Sequence, residues 1–314
     1  MTQSKVFTVF GATGQQGGAV VRYILQHLRF SQVYRLRAVT RDASKSAARD
    51  LVELGVEVVE ADLNNPESVK AAMRSAHTVF AVTNHWDPQV DTSISRAQVE
   101  IAQGKTLADA AVANKVELYI WSSLPRIGKP HFDSKAEVEE YVRSLPLTSV
   151  YFMAGFYMQN FLVLLKPTRQ SDGTYLMTKP YPGASGSTVL PLIDIRDSGK
   201  YIAPFLEDPN KYKGERLFAA TAGYRLDDIC RVWSDVTGTK VVFDEKGDIL
   251  AANKLSEAQR EGLTKSDGRG RAEIGYYGTG GEDGARWTVE QVEGVGERLA
   301  TWDEFVGANE PWFE

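Results

Sequence analysis

Up to residue 153 the chain alternates short apolar runs with amphipathic stretches of helical period. Residues 6–10, 34–40, 56–60, 77–83, 116–122 and 147–153 predict six strands. Residues 19–28, 43–54, 65–74, 93–113 and 135–144 predict the helices between them, with Pro66 suited to a first-turn position. Strands alternating with helices at this spacing specify right-handed βαβ units and a parallel sheet. The expected class is α/β, a doubly wound parallel sheet.

Past residue 154 the alternation loosens. Lys179-Pro-Tyr-Pro-Gly-Ala-Ser-Gly is loop-like, and Leu190-Pro-Leu-Ile-Asp-Ile-Arg-Asp leads into a helix near 198–206. Strands are expected at 215–219 and 240–243, and a helix at 226–236. Gly278-Thr-Gly-Gly-Glu-Asp-Gly predicts a mobile glycine-dense loop. Trp302, Trp312 and Phe313 are placed to anchor the C-terminal end on the body. The expected division is a nucleotide-binding domain over 1–153 and a smaller, interleaved α/β lobe over 154–314. Part of 187–203 is expected to return to the main sheet.

Composition narrows the class of protein. The 314 residues are 43% hydrophobic and 25% charged, ordinary for a globular chain long enough to bury a large core. With 36 Lys and Arg against 41 Asp and Glu, the net charge of -5 argues against broad nucleic-acid binding, and no basic stripe or helix-turn-helix pattern supports it. Cys230 is the single cysteine, so no intrachain disulfide or cysteine metal cluster is expected, and four His without paired spacing predict no metal site. Cys230 lies beside Ile229, Val232 and Trp233 and reads as buried filler. No apolar run approaches ~20 residues and no signal-peptide pattern follows Met1, so a cytoplasmic protein without a membrane span is expected.

The chemistry is concentrated in a glycine loop. Gly11, Gly14 and Gly17 follow the first strand directly and lead into the first helix. Their G-x-x-G-x-x-G spacing differs from the usual G-x-G-x-x-G, yet the physical roles carry over. Gly11 permits a tight turn, Gly14 lets backbone N–H groups approach a pyrophosphate, and Gly17 lets helix and strand pack closely. The helix N-terminus then offers unpaired N–H groups and a partial positive charge. This is the nucleotide-binding half of a Rossmann fold.

The end of the second strand selects the nucleotide. An acidic residue there favours the ribose 2′-OH of NAD, whereas an arginine accommodates the 2′-phosphate of NADP. Here Thr40 is followed by Arg41 and Asp42, with Lys45 one helical turn on, so NADP(H) is expected. The plainer alternative is a solvated basic turn in which Arg41 pairs locally with Asp42. Asp62 and Leu63, after strand three, should meet the adenine. Thr83, Asn84 and His85, after strand four, should line the ribose and pyrophosphate side.

Five stretches carry a resemblance to a known family: Val9-Phe-Gly-Ala-Thr-Gly-Gln-Gln-Gly-Gly, Val39-Thr-Arg, Val82-Thr-Asn-His-Trp, Gln103-Gly-Lys-Thr-Leu-Ala-Asp and His131-Phe-Asp-Ser-Lys-Ala-Glu-Val-Glu-Glu-Tyr. The chain resembles the NmrA-like branch of the atypical short-chain dehydrogenases, above all its NADPH-sensing members. The resemblance continues more thinly through Gly155-Phe-Tyr-Met-Gln-Asn to Trp302-Asp-Glu-Phe. It implies cofactor contacts at Gly11, Ala12, Thr13, Gly14, Gln15, Gln16, Gly17, Arg41, Lys45, Asp62, Leu63, Thr83, Asn84, His85, Lys135, Tyr157, Met158, Gln159 and Asn160. Some members carry a lysine just before the Gln-Gly-Lys motif. This chain has Ala102 there, so one cofactor-facing charge is missing.

Active short-chain dehydrogenases pair a tyrosine acid with a lysine four residues on and a serine after strand five. Here the lysine is Lys135, the tyrosine position holds His131, and Ser122 and Ser123 are present. A histidine can donate a proton near neutral pH, so Lys135, His131 and Ser123 are the catalytic candidates if the protein is an enzyme. Against that, His131 follows Gly128-Lys-Pro in what reads as a loop, and Lys135 could simply hold a ribose. Glu137, Glu139 and Glu140 read as a solvated helix face. Two functions stay open. The favoured one is an NADP(H)-binding regulator, cytoplasmic and also nuclear, that signals dinucleotide redox state to a protein partner. The other is an NADPH-dependent reductase of a small carbonyl or enone substrate using Lys135. A homodimer is left open.

Overall fold

The computed structural model describes residues 4–90, 95–249, 255, 260, 276–278 and 280–313. Its first half runs Lys5–Phe10 (β1), Gln15–Gln26 (α1), the single turn Phe30–Val33 (α2), Tyr34–Thr40 (β2), Ser46–Glu53 (α3), Glu57–Glu60 (β3), Pro66–Ala72 (α4), Ala76–Ala81 (β4), Arg96–Ala113 (α5), Leu118–Ser123 (β5), Pro130–Arg143 (α6) and Ser149–Ala154 (β6). All six expected strands form. The second half continues through Phe156–Tyr157 (β7), Asn160–Val163 (α7), Thr168–Arg169 (β8), Tyr175–Met177 (β9), Val189–Ile193 (β10), Ser198–Glu207 (α8), Arg216–Ala219 (β11), Ala222–Arg225 (β12), Leu226–Thr237 (α9), Val241–Phe243 (β13), Gly281–Gly294 (α10) and Trp302–Ala308 (α11).

The main sheet has seven strands in the order β11-β6-β5-β4-β1-β2-β3, and every neighbouring pair is parallel. Its strands are near-continuous apolar runs because both faces are covered. One face packs on α1, α3, α8 and α10 through Val20, Ile24, Leu51, Tyr201, Ile202 and Val292. The other packs on α4, α5 and α6 through Val69, Leu107 and Val138. The strand order reverses between β1 and β4, which opens a crevice at the carboxyl ends of the strands.

The smaller lobe carries two three-stranded sheets, β12-β10-β7 and β13-β9-β8. Its core gathers Phe161, Trp233, Trp302, Phe305 and Trp312. Trp302 and Trp312 anchor the C-terminal end as expected. Their indole Nε1 groups donate to the Ile229 and Val306 carbonyls at 3.1 and 2.8 Å, so both rings are buried with their polar atoms satisfied. Burial, with Asp227 adding to it, pushes the Cys230 thiol up to about 12, and its Sγ lies 4.0 Å from the Met177 sulfur.

Several boundaries differ from the sequence reading. The first helix begins at Gln15 rather than 19, because Gly14 serves as its N-cap. The helix expected at 135–144 begins at Pro130, so His131 is helical and not in a loop. Pro130 fits the first helical position, and Asp133 accepts the Ile127 and Gly128 N–H groups at 2.9 and 3.1 Å, closing the turn before the helix. The start of the 93–113 helix at 93 and 94, and Thr279 in the glycine-dense segment, lie outside the described residues. Gly281 to Gly284 form the first turn of α10 rather than a loop, with Glu282 and Asp283 placed to complement its N-terminus. The return to the main sheet comes from β11, not from 187–203. There β10 lies in a separate sheet, and the segment returns to the main layer only by packing, through Ile193, Ile195 and α8.

Candidate functional site

At the crevice a cleft of about 810 Å³ runs from Arg41 and Lys45 at one end to Phe156, Leu164, Leu165 and Ile249 at the other. Its floor is the glycine loop. Gly11 has φ +63°, and a Cβ on Gly17 would lie 2.4 Å from the Gly11 carbonyl oxygen, so both positions exclude a side chain. Gly14 brings no capping side chain to the first-turn N–H groups of α1, and no acidic residue stands in that turn. Those N–H groups with the helix dipole make an anion cradle, which fits a pyrophosphate.

Gln16 spans the cleft. Its Oε1 accepts from Ser122 Oγ at 2.7 Å, and its Nε2 donates to the Tyr157 hydroxyl of the smaller lobe. Burial pushes the Tyr157 phenol up to about 12, against the lowering effect of the Gln16 bond.

The far wall is organised by a buried carboxylate. Glu100, on the sheet-facing side of α5, accepts on Oε1 from Lys135 Nζ at 2.8 Å and Thr83 Oγ1 at 2.7 Å. On Oε2 it accepts from Ser134 Oγ at 2.5 Å and meets His85 Nδ1 at 2.9 Å. Burial alone would raise its pKa. The adjacent Lys135, and then the hydrogen bond and charge of His85, outweigh that and hold it well below the usual carboxylate range. With Glu100 ionised, His85 Nδ1 carries the proton and donates. All four acceptor positions of the carboxylate are filled, which a buried charge requires.

Lys135 is equally committed. Its ammonium also donates to the Thr83 carbonyl at 3.1 Å and approaches Thr83 Oγ1 at 3.0 Å. His131, one turn earlier on α6, packs its ring 5.1 Å from Trp86 and 5.8 Å from His85. Trp86 thus walls the cleft with His131. Ser123 donates from Oγ to Glu139 Oε2 at 2.6 Å and is tied to that carboxylate rather than to Lys135. Glu139 corrects the expectation of a solvated face: it is buried, and its Oε1 accepts from Arg143 at 2.7 Å and Arg216 at 2.7 Å. Arg216 belongs to β11, whose insertion beside β6 covers this side of α6.

At the opposite end Arg41 Nη1 donates to Asp87 Oδ2 at 2.6 Å and to Gln89 Oε1 at 2.7 Å. It does not pair with Asp42, whose carboxylate accepts from Ser44 and is lowered by those bonds. Lys45 lines the same end at the N-cap of α3. Asp62 accepts from the Asn64 backbone and side chain at 2.9 and 3.0 Å, and Asn64 accepts from Gln103 at 3.0 Å.

Against this geometry, a model of the NmrA-like family matches residues 3–270. The chain belongs to the NmrA-like family. FrzB of Cladobotryum sp., an NmrA-like family domain-containing oxidoreductase, is 27% identical, covering 76% of this chain and 75% of its own. A crystal structure of NmrA, a negative transcriptional regulator, in complex with NAD superposes with a TM-score of 0.78 at 25% identity, covering 99% of this chain and 96% of that one. The same regulator in complex with NADP gives 0.79 at 24%, with the same coverage.

Among the residues singled out from sequence, Gly11, Thr13, Gly14, Gln15, Gln16, Arg41, Lys45, Asp62, Leu63, Thr83, Asn84, His85, Ser123, His131, Lys135, Tyr157 and Asn160 all line the NmrA-like cleft. Ala12, Gly17, Met158 and Gln159 do not. Ala12 and Met158 are core residues, and Gln159 bridges Asp194 and the Ile195 N–H. Glu100, Asp87 and Glu139 are site residues that the sequence alone does not single out. A signal existed for Glu100: it shares a helix face with Gly104, Leu107 and Ala111, so a charge stands on an otherwise apolar stripe.

Proposed function

We propose that this NmrA-like protein binds NADP(H) in the cleft and reports the redox state of the dinucleotide to a protein partner, in the cytoplasm and the nucleus. The pyrophosphate would lie on the Gly11–Gln16 loop, with Arg41 and Lys45 at the adenosine phosphate. Asp62 and Leu63 would meet the adenine, Thr83 to His85 the ribose side, and Lys135, Tyr157 and Asn160 the nicotinamide end. When bound, the dinucleotide supplies a hydride. The observation that carries the regulatory reading is that, among the described residues of the cleft, Lys135 and Tyr157 are both tied to protein partners instead of being held ready to protonate a substrate. The ammonium of Lys135 is committed to Thr83 and Glu100, the tyrosine position is His131, and Tyr157, one of the two described tyrosines lining the cleft, is pushed up to about 12. Gln16, joining the glycine loop to Tyr157 of the smaller lobe, is the contact through which occupancy would bias a partner surface. Such signalling requires a partner whose affinity differs between the two states.

One observation favours the reductase alternative. The cleft extends beyond the nicotinamide end into an apolar pocket lined by Leu164, Leu165, Pro180, Ile249 and Leu255, room for a small carbonyl or enone substrate. Single-turnover absorbance of bound NADPH against a panel of such compounds separates the two. The regulator binds NADPH and leaves it reduced throughout. Rapid oxidation that Lys135→Met abolishes, while NADPH still binds, overturns the regulatory reading.

A further inference from the structure

The adenosine end of the cleft already contains an anion facing Arg41. Among the described residues, three carboxylates line it. Asp42 is committed to Ser44 and Asp62 to Asn64, whereas Asp87 Oδ2 holds Arg41 at 2.6 Å. Asp87 is fixed in place: its Oδ1 accepts the Gln89 N–H at 3.1 Å, its own N–H donates to the Asn84 carbonyl at 3.2 Å, and Arg96 grips its carbonyl at 2.6 Å. The carboxylate therefore cannot swing away when Arg41 turns toward a ligand. A 2′-phosphate must win Arg41 from Asp87 and then lie beside a fixed negative charge. A ribose 2′-OH suffers neither penalty and can donate to a carboxylate.

We propose that Asp87 is a specificity-determining residue of this cleft, competing with the 2′-phosphate of NADP for Arg41 and so moderating the preference for NADP over NAD. The proposal rests on the dinucleotide reading of the cleft. In it, cofactor choice is set by the Arg41–Asp87 pair, not by the arginine alone, and the neutral Gln89 oxygen beside them is a bystander.

Calorimetric titration of NADP+, NAD+ and the fragment 2′,5′-ADP into the intact chain, Asp87→Asn, Arg41→Ala and the double variant tests this. Asparagine keeps the size and the Oδ1 acceptor for the Gln89 N–H, and thermal melting checks that each variant is folded. Release of a half-exposed ion pair predicts that Asp87→Asn tightens NADP+ and 2′,5′-ADP by about three- to tenfold. NAD+ should change by less than about twofold, and the gain should vanish in the Arg41→Ala background. An unchanged NADP+ to NAD+ ratio in Asp87→Asn, or a gain that survives Arg41→Ala, overturns the proposal while the dinucleotide reading stands. Failure of the intact chain to bind either dinucleotide overturns both.

Discussion

The two ends of the cleft each carry a lysine or arginine paired with a carboxylate at nearly the same distance, yet they are different devices. Lys135 and Glu100 approach to 2.8 Å with side chains 11% and 1% exposed, and Arg41 and Asp87 to 2.6 Å with side chains 49% and 13% exposed. Water sets the difference. A pair of unit charges about 4 Å apart is worth about 1 kcal/mol in bulk water and about 4 kcal/mol at an effective dielectric of 20. A buried partner left alone retains its full desolvation cost, whereas an exposed one is rehydrated. The Lys135–Glu100 pair is thus scaffold that fixes the far wall. The Arg41–Asp87 pair is exchangeable, and a ligand can compete for it.

The hardest test of that contrast is removal of the buried charge. Glu100→Gln keeps the volume but leaves Lys135 without its counter-ion and sets an amide among the donors of Thr83, His85 and Ser134. Breaking a buried pair by losing one partner predicts a loss of about 3–5 kcal/mol in urea unfolding at neutral pH. Lys135→Met should cost a similar amount, about 3–5 kcal/mol at neutral pH, because it strips the main counter-charge from the more deeply buried partner, although Glu100 keeps three other donors. A loss below about 0.5 kcal/mol for Glu100→Gln would erase the distinction between the two ends.

Acid should expose the same carboxylate. The folded-state pKa of Glu100 lies below its unfolded value of 4.5, so its contribution is fully present above that pH and declines as pH falls below it. In that window the unfolded chain binds the extra proton, and the buried Glu100 steepens the loss by up to about 1.4 kcal/mol per pH unit. Asp42, Asp172 and Glu304 are also lowered and add to the acid loss in any variant that keeps them. The informative quantity is a difference: between pH 4.5 and 3, Glu100→Gln should lose stability less steeply than the intact chain. Parallel curves would mean that Glu100 is not held ionised.

The same division explains what could be read from the chain. Gly11, Gly14 and Gly17 act through their own backbone, so their role is written locally, and apolar runs within a few residues of each other announce β1 to β6. Arg41 is likewise placed by one strand end. Glu100 and Glu139 are not legible this way. Glu139 looks like a polar residue on a charged helix and Glu100 like a stray charge on an apolar stripe, and only partners arriving from elsewhere, Arg216 of β11 for the first and Lys135 and His85 for the second, make each a buried hub. A strand at 215–219 is legible, but not its pairing with β6, since that partner lies far back in the chain and hydrophobic pattern carries no register between them. His131 differs from its sequence reading for a local reason: Gly128 and Pro130 suggest a loop, whereas Pro130 opens the helix.

The smallest effect is the sharpest check on the comparison. Arg41→Ala should cost at most about 1 kcal/mol of stability, because the pair it removes is half exposed and Asp87 retains the Gln89 N–H. Added salt should then separate the two ends without any ligand. The screening length falls from about 10 Å at 0.1 M to about 3 Å at 1 M, which weakens exposed pairs and barely touches buried ones. The stability gap between the intact chain and Arg41→Ala should therefore shrink toward zero at 1 M salt, while the gap to Glu100→Gln persists. If both gaps close together, the far wall is wetter than its geometry implies and Lys135 becomes as available to a ligand as Arg41. If neither closes, Arg41 is held as firmly as Lys135, and the adenosine end has no exchangeable pair for a phosphate to displace.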